Sequence, residues 1–364
     1  MTHPVATALA RGVRAEPQLA AHAVERALAR AELTRATSVL LFLTPHFAPS
    51  PDTALRAAAR AAGTLQVFGC TGAGVMTEDE WVLDAPGAAA MVFGEPLQLT
   101  LPDDGHEPIL SLCTPGGLSA DWLDDDTVRL GAVSADLFGQ GPFRVWSGAR
   151  VIDGGRVDGW IKGAHGVVQV SQGMHALTAP IEVGAVEGLD LLKLGNYPAL
   201  NVLVQSLPQS VRARDSIPLH MILGGVTFGD PDTAIRDGRY RLNPIVAANI
   251  GNQSVTLSHP LNRGERLFWA MRDALTAERD FRATLERAGA ALGTAPAFAL
   301  LLSCVGRGPH FYGNRDRDLE QLRAQHPGLP VIGFYGNGEI APLDGTNHLY
   351  QYSAVLGLYR LAGG

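Results

Sequence analysis

The chain has 364 residues, 46% hydrophobic and 18% charged, with a net charge of -7. That is enough apolar material for a sizeable core, and the length suggests about two domains. The negative balance, with no run of Lys and Arg to reverse it, excludes electrostatic attraction to nucleic acid or to an anionic membrane surface.

The longest apolar runs, Val39 to Leu43 and Phe298 to Leu302, are far shorter than the roughly 20 residues of a spanning helix. The first residues lack a signal-peptide core. Cys70, Cys113 and Cys304 are odd in number and widely spaced, which suits free thiols in a reducing compartment. The expectation is a cytoplasmic protein.

From the N-terminus, Leu19, Ala23, Val24 and Leu28 form one apolar stripe, so Pro17 to Arg30 reads as a helix with proline in its first turn. A strand over Val39 to Leu43 follows, then an Ala-rich helix from Thr53 to Ala62 with Asp52 or Thr53 as N-cap, then a strand over Leu65 to Phe68. Gly141 to Val151, Val157 to Lys162, Gly166 to Val170 and Tyr240 to Ile250 read as antiparallel strands and hairpins separated by glycine and proline turns. The C-terminal part repeats the opening order. An amphipathic helix is expected from Gly264 to about Gly293, with Leu267, Phe268, Met271, Leu275, Phe281 and Leu285 inward. Strand Phe298 to Cys304, helix Asp316 to Gln325 and strand Val331 to Ile332 complete it.

The repetition extends to the loops. Gly69-Cys70-Thr71-Gly72-Ala73-Gly74 and Gly333-Phe334-Tyr335-Gly336-Asn337-Gly338 share three glycines at one constant offset, each after an apolar strand. Such loops need backbone angles closed to residues with a Cβ, or admit a close neighbour. The fold class expected is α/β to α+β, in two pseudo-repeated halves, each a mixed β-sheet covered by helices. The division is an N-terminal helical segment (1–35) and two domains, 36–215 and 216–364, with the boundary in the Pro208-containing loop.

If the last two strands of each half run parallel, their ends share one sheet edge, where open α/β sheets bind ligands. Cys70, Thr71, Gly72, Cys304, Arg307, Phe334, Tyr335, Asn337 and Glu339 are the candidate ligand-binding residues on this reading. Arg307 is suited to clamp a carboxylate or phosphate, and Glu339 to accept an ammonium or to pair with Arg307 as structure. Cys304 beside Arg307 is either a nucleophile of lowered pKa, which would make the protein a cysteine-dependent enzyme, or a small buried thiol.

These motifs resemble the FIST domain. Ser303-Cys304-Val305-Gly306-Arg307-Gly308 and the Gly333 to Ile340 loop match its C-terminal part. Gly69 to Gly74 and Asn196-Tyr197-Pro198-Ala199-Leu200 match its N-terminal part. The resemblance implies a sensory module for a small ligand, with amino acids suggested, acting on a signalling partner such as a histidine kinase. Some bacterial relatives look like haem-bearing nitric-oxide sensors. For haem, His175, His310 and His348 lie near loop ends and are the histidines to test. Departures from the usual pattern are Val75 after the last loop glycine, where an acidic residue is common, and Asn201 where Asp is common.

Enzyme motifs are absent from the sequence: there is no Gly-x-Ser-x-Gly elbow, no His-Glu-x-x-His, no phosphate loop and no Cys-x-x-Cys. No catalytic residue or metal ligand is assigned.

Overall fold

Successive residues of a strand face opposite sides, and the run Ser38–Leu43 uses both. Leu40 and Phe42 enter one core, whereas Val39, Leu41 and Leu43 enter another. The strand is therefore central in a sheet that is covered on both faces. The structure, a computed structural model, describes residues 4–102, 108–214, 216–343 and 345–363. It divides into two packed units, one built from residues up to Ser171 and from Phe281 onward, the other from Gln172–Asp280. Residue 215, where the sequence suggests a boundary, lies outside the described residues.

The first unit contains three copies of one arrangement. The first copy is β1 (Val5–Arg11), α1 (Pro17–Ala31), β2 (Ser38–Leu43), α2 (Asp52–Ala62), β3 (Val67–Thr71), β4 (Gly74–Thr77), β5 (Trp81–Leu83) and β6 (Gly87–Phe93). A wholly helical N-terminal segment was expected, but β1 precedes α1 and pairs antiparallel with β6. The second copy is β7 (Gln98–Thr100), β8 (Ile109–Cys113), the short α3 (Ala120–Leu123), β9 (Arg129–Val133), β10 (Val145–Ser147), β11 (Arg150–Val151) and β12 (Arg156–Lys162). Strand β13 (Ala164–Ser171) opens the third.

The second unit stands, in chain order, where five residues join β1 to α1 in the first copy. It holds β14 (Met174–Ala176), β15 (Ile181–Glu187), β16 (Asp190–Leu194), β17 (Tyr197–Pro198), α4 (Ala199–Ser206), α5 (Gln209–Arg212), β18 (Ile222–Thr227), α6 (Pro231–Ala234), β19 (Tyr240–Asn249), β20 (Ser254–Leu257) and β21 (Arg266–Arg272). Its strands run β21-β15-β16-β20-β19-β18 and close by a β18–β21 pairing, giving a small antiparallel barrel. Val183, Leu194, Val255, Leu267 and Trp269 fill it with Leu200 and Leu203 of α4.

The third copy resumes with α7 (Ala274–Leu292), β22 (Phe298–Cys304), α8 (Arg317–Gln325), β23 (Val331–Gly336), β24 (Glu339–Leu343), β25 (Thr346–Tyr350) and β26 (Ala354–Leu361). The single helix expected over Gly264 to Gly293 is thus a strand followed by a helix. Leu267 to Met271 pair with β18, and Leu275 is 64% exposed. The uninterrupted apolar run Leu267-Phe268-Trp269-Ala270-Met271 suits a strand buried on both faces, and periodicity alone does not separate that from a helix.

The three sheets have orders β1-β6-β2-β3-β10-β11, β7-β12-β8-β9-β24-β25 and β13-β26-β22-β23-β4-β5. Each order becomes the next when every strand is replaced by its counterpart, so each copy donates a hairpin to its neighbour's sheet in a closed cycle. The sequence repeat identified two of these copies, the first and the third. In each, a central parallel pair brings one glycine against a carbonyl. A Cβ on Gly69, Gly131 or Gly333 would lie 1.8, 2.0 or 1.8 Å from the carbonyl oxygen of Leu41, Ser111 or Leu301. Inner faces of all three sheets share one core, including Phe42, Phe68, Leu112, Leu130, Leu302 and Phe334. Helices α1 and α2 cover the outer face of the first sheet, and α7 and α8 that of the third.

Candidate functional site

The three central strands β3, β9 and β23 end together. Just beyond them the N–H of Ala73 donates to Tyr335 O (2.9 Å), that of Asn337 to Val133 O (2.9 Å) and that of Ala135 to Thr71 O (3.3 Å). This ring of three main-chain hydrogen bonds brings the two glycine loops side by side with a third loop after β9. Strand alternation then sorts the site residues. Cys70 and Phe334 point into the shared core, where the Phe334 ring centroid lies 4.7 Å from that of Phe42. Gly72 is required by this packing, since a Cβ there would stand 2.6 Å from the Phe334 ring. An open crevice lined by these residues was expected; instead the residues fill the space themselves, and Asn337 alone of the nine is exposed. Apolar side chains converging on one axis bury more surface by touching each other than by leaving room.

Outward-facing neighbours make polar contacts. Thr71 Oγ1 lies 2.7 Å from Ser134 Oγ and accepts the Arg144 N–H at 3.1 Å. Behind β23 lies a buried polar cluster. Arg307, 1% exposed, donates from Nε to Asp318 Oδ2 (2.8 Å), from Nη2 to Asp318 Oδ1 (3.2 Å) and to Ser171 Oγ (2.8 Å), and from Nη1 to Ser171 O (2.9 Å). Tyr312 donates its hydroxyl to Asp318 Oδ1 (3.0 Å), and Tyr335 donates to Asp316 Oδ2 (2.5 Å). Asp316 also N-caps α8, accepting the Leu319 N–H at 2.9 Å. Arg307 therefore pairs with Asp318 rather than with Glu339.

Glu339 is fully buried. Its Oε2 accepts the Ser353 hydroxyl at 2.6 Å, while its Oε1 has no hydrogen-bond partner. Burial pushes its carboxyl well above the usual range. Burial, and secondarily Asp318, also push Asp316 up, to about 6. All three thiols are buried, and burial raises Cys70 well above its ordinary value and Cys113 to about 12. Sequence reasoning missed Asp316, Asp318, Tyr312, Ser171 and Ser353. The available signal was that Asp318, Leu319 and Leu322 share the buried face of α8.

Of the histidines, His310 is exposed, with Nε2 3.5 Å from Asp84, and His348 stands edge-on to Tyr350. His175, exposed on β14, belongs to the other unit. Among the described residues no group of three or more His, Cys, Asp or Glu side chains is placed to hold a metal ion, and no helix is long and apolar enough to cross a membrane.

Residues 199–342 match the family model of the FIST C domain. An uncharacterized protein of Mycobacterium bovis, Mb0898c, is 30% identical over 236 residues, covering 64% of this chain and 60% of that protein's length. The uncharacterized protein Rv0628c of Mycobacterium tuberculosis is 26% identical over 384 residues, covering 96% of this chain and 98% of that protein. Arg307, Asp318 and Glu339 lie inside the matched segment, and this part of the chain accordingly carries a FIST C domain.

Proposed function

We propose that this chain senses a small molecule, an amino acid or other small carboxylic acid, and passes its ligand state to a partner protein such as a histidine kinase. FIST domains are sensory rather than catalytic modules, and the family is associated with small ligands. The observation that supports the reading here is Glu339. A fully buried carboxyl with one unpartnered oxygen, at the carboxyl end of the parallel pair β22/β23, leaves a hydrogen bond unmade at a position where α/β sheets hold ligands.

An ammonium donating to Glu339 Oε1 would stabilise the ionised carboxylate, a form that the charge of Arg307, itself held by Asp318 and Ser171, also favours. Because the cluster is buried, a ligand reaches it only when α8 or the residue 308–316 loop moves aside. Binding then shifts the balance between a packed and an opened form by its differential affinity, and that shift is the signal. Cys304, buried behind the ring, has no role in this scheme.

The test is a thermal-shift screen of the full chain against the amino acids and small carboxylic acids, with Glu339→Gln alongside. At least one compound should raise the melting temperature of wild type and lose that effect in the variant. No shift with any compound, or an equal shift in both proteins, rejects the proposal. A Soret band after haem reconstitution, lost in His310→Ala or His348→Ala, would put the haem-sensor reading in its place.

A further inference from the structure

The donated hairpins create three equivalent seams, each between a hairpin turn and the helix it passes. In the third sheet, Glu78 Oε2 accepts the Val331 N–H at 2.9 Å and Arg323 Nη1 reaches Asp79 O at 3.4 Å. In the second, Asn347 Nδ2 donates to Thr127 O (2.7 Å) and Leu123 O (3.1 Å). Side chains close both. In the first sheet, among the described residues, no side chain ties the Gly148-Ala149 turn to α2 or to the loop after it, and the seam stands open as a cleft of about 700 Å³.

Three arginines border that cleft. Arg56 and Arg60 lie one turn apart on α2, and Arg150 faces them from β11. All three are exposed, and among the described residues none of their guanidiniums has an ion-pair or hydrogen-bond partner. Asp52 is the one acidic residue in the wall. In a chain of net charge -7, three unpaired guanidiniums gathered on one concavity run against the global balance. Leu65, 69% exposed, adds an apolar edge, and beside Gly148 a Cβ would meet nothing within 4 Å. Planar guanidinium forks match phosphoryl oxygens, and three of them exceed what a single carboxylate can satisfy.

We infer that the Arg56, Arg60 and Arg150 cleft binds an organic diphosphate, with the phosphoryl groups on the arginines and the apolar body of the ester against Leu65. This site is separate from the Glu339 cluster and does not depend on the reading of that cluster.

Isothermal titration of the full chain at low ionic strength, with pyrophosphate, ADP and citrate as probes, tests it. ADP should bind saturably at one site and more tightly than citrate. Arg60→Gln and Arg150→Gln should each weaken it by about tenfold, as expected for loss of one charge-assisted contact. Arg236→Gln, in the other unit, and Glu339→Gln should leave it unchanged. Absence of ADP binding, citrate binding as tightly as ADP, pyrophosphate binding without ADP binding, or wild-type affinity in both cleft variants would overturn the assignment. Surface Arg→Gln changes preserve folding, and retention of the wild-type melting temperature checks this.

Discussion

Arg307 and Asp318 meet fork to fork, Nε to Oδ2 at 2.8 Å and Nη2 to Oδ1 at 3.2 Å, with both side chains 1% exposed. One residue lies at the end of β22's following turn and the other in the first turn of α8, so the pair fixes the helix to the sheet edge. Removing either charge strands the other in a medium that cannot solvate it. Asp318→Ala should cost about 3–5 kcal/mol, and Arg307→Met with Asp318→Leu should cost less than the sum of the single changes. Urea unfolding of Asp318→Ala, of Arg307→Met and Asp318→Leu singly and of the two combined measures this, and additive losses would show that the pair is not coupled.

The carbonyl contact at the central glycines gives a second prediction. Gly333→Ala sets a Cβ 1.8 Å from Leu301 O inside the parallel β22/β23 pair, and backbone on both sides must shift. The variant should lose more than about 3 kcal/mol or fail to fold, a loss comparable to other severe core disruptions. Gly289→Ala within α7, where a Cβ meets nothing within 4 Å, should instead gain about 0.5–1 kcal/mol. Thermal melts of the two variants should therefore move in opposite directions.

Asp316 predicts an unusual pH dependence. Its folded pKa, about 6, lies above the ordinary 3.8, so between those values the native state holds a proton that the unfolded chain has released. Stability from this group is therefore full at low pH and is lost as pH rises towards 6, opposite to a salt-bridged carboxylate. Asp316→Asn keeps an acceptor for the Leu319 N–H and removes the titration. The difference in unfolding free energy between variant and wild type should then increase in the variant's favour from pH 4 to 7, by about 1–3 kcal/mol. A difference that is flat with pH would show that Asp316 ionises freely.

Thiol reactivity separates a sensor from a cysteine enzyme. Cys70, Cys113 and Cys304 are buried away from solvent, and burial raises Cys70 well above its ordinary value and Cys113 to about 12. Iodoacetamide should label none of them in native protein and all of them in guanidinium. Rapid native labelling at Cys304 would restore the nucleophile reading.

Much of the local structure was written in the sequence. Strand Phe298–Cys304 and helix α1 follow from apolar runs and stripes that any burial would select. The glycine repeat marked the first and third copies because a parallel neighbour's carbonyl excludes a side chain there. The second copy keeps only Gly131 of the three glycines; Ser134 and Asp136 replace the others, since the chain there makes a longer loop before β10 instead of a tight turn. Without those glycines its membership was invisible until strand pairing showed it.

The sequence by itself determined elements such as helix α1 and strand Phe298–Cys304 and the residues that resemble the FIST motif, because propensity and patterning act over a few residues, but it did not separate strand β21 from helix α7. Only tertiary structure decided that Phe334 plugs the axis, that Arg307 takes Asp318 and not Glu339, and that Arg56, Arg60 and Arg150 border one cleft. Those facts depend on which distant strands become neighbours, and burial area and buried charge are settled by that pairing rather than by any local run of residues.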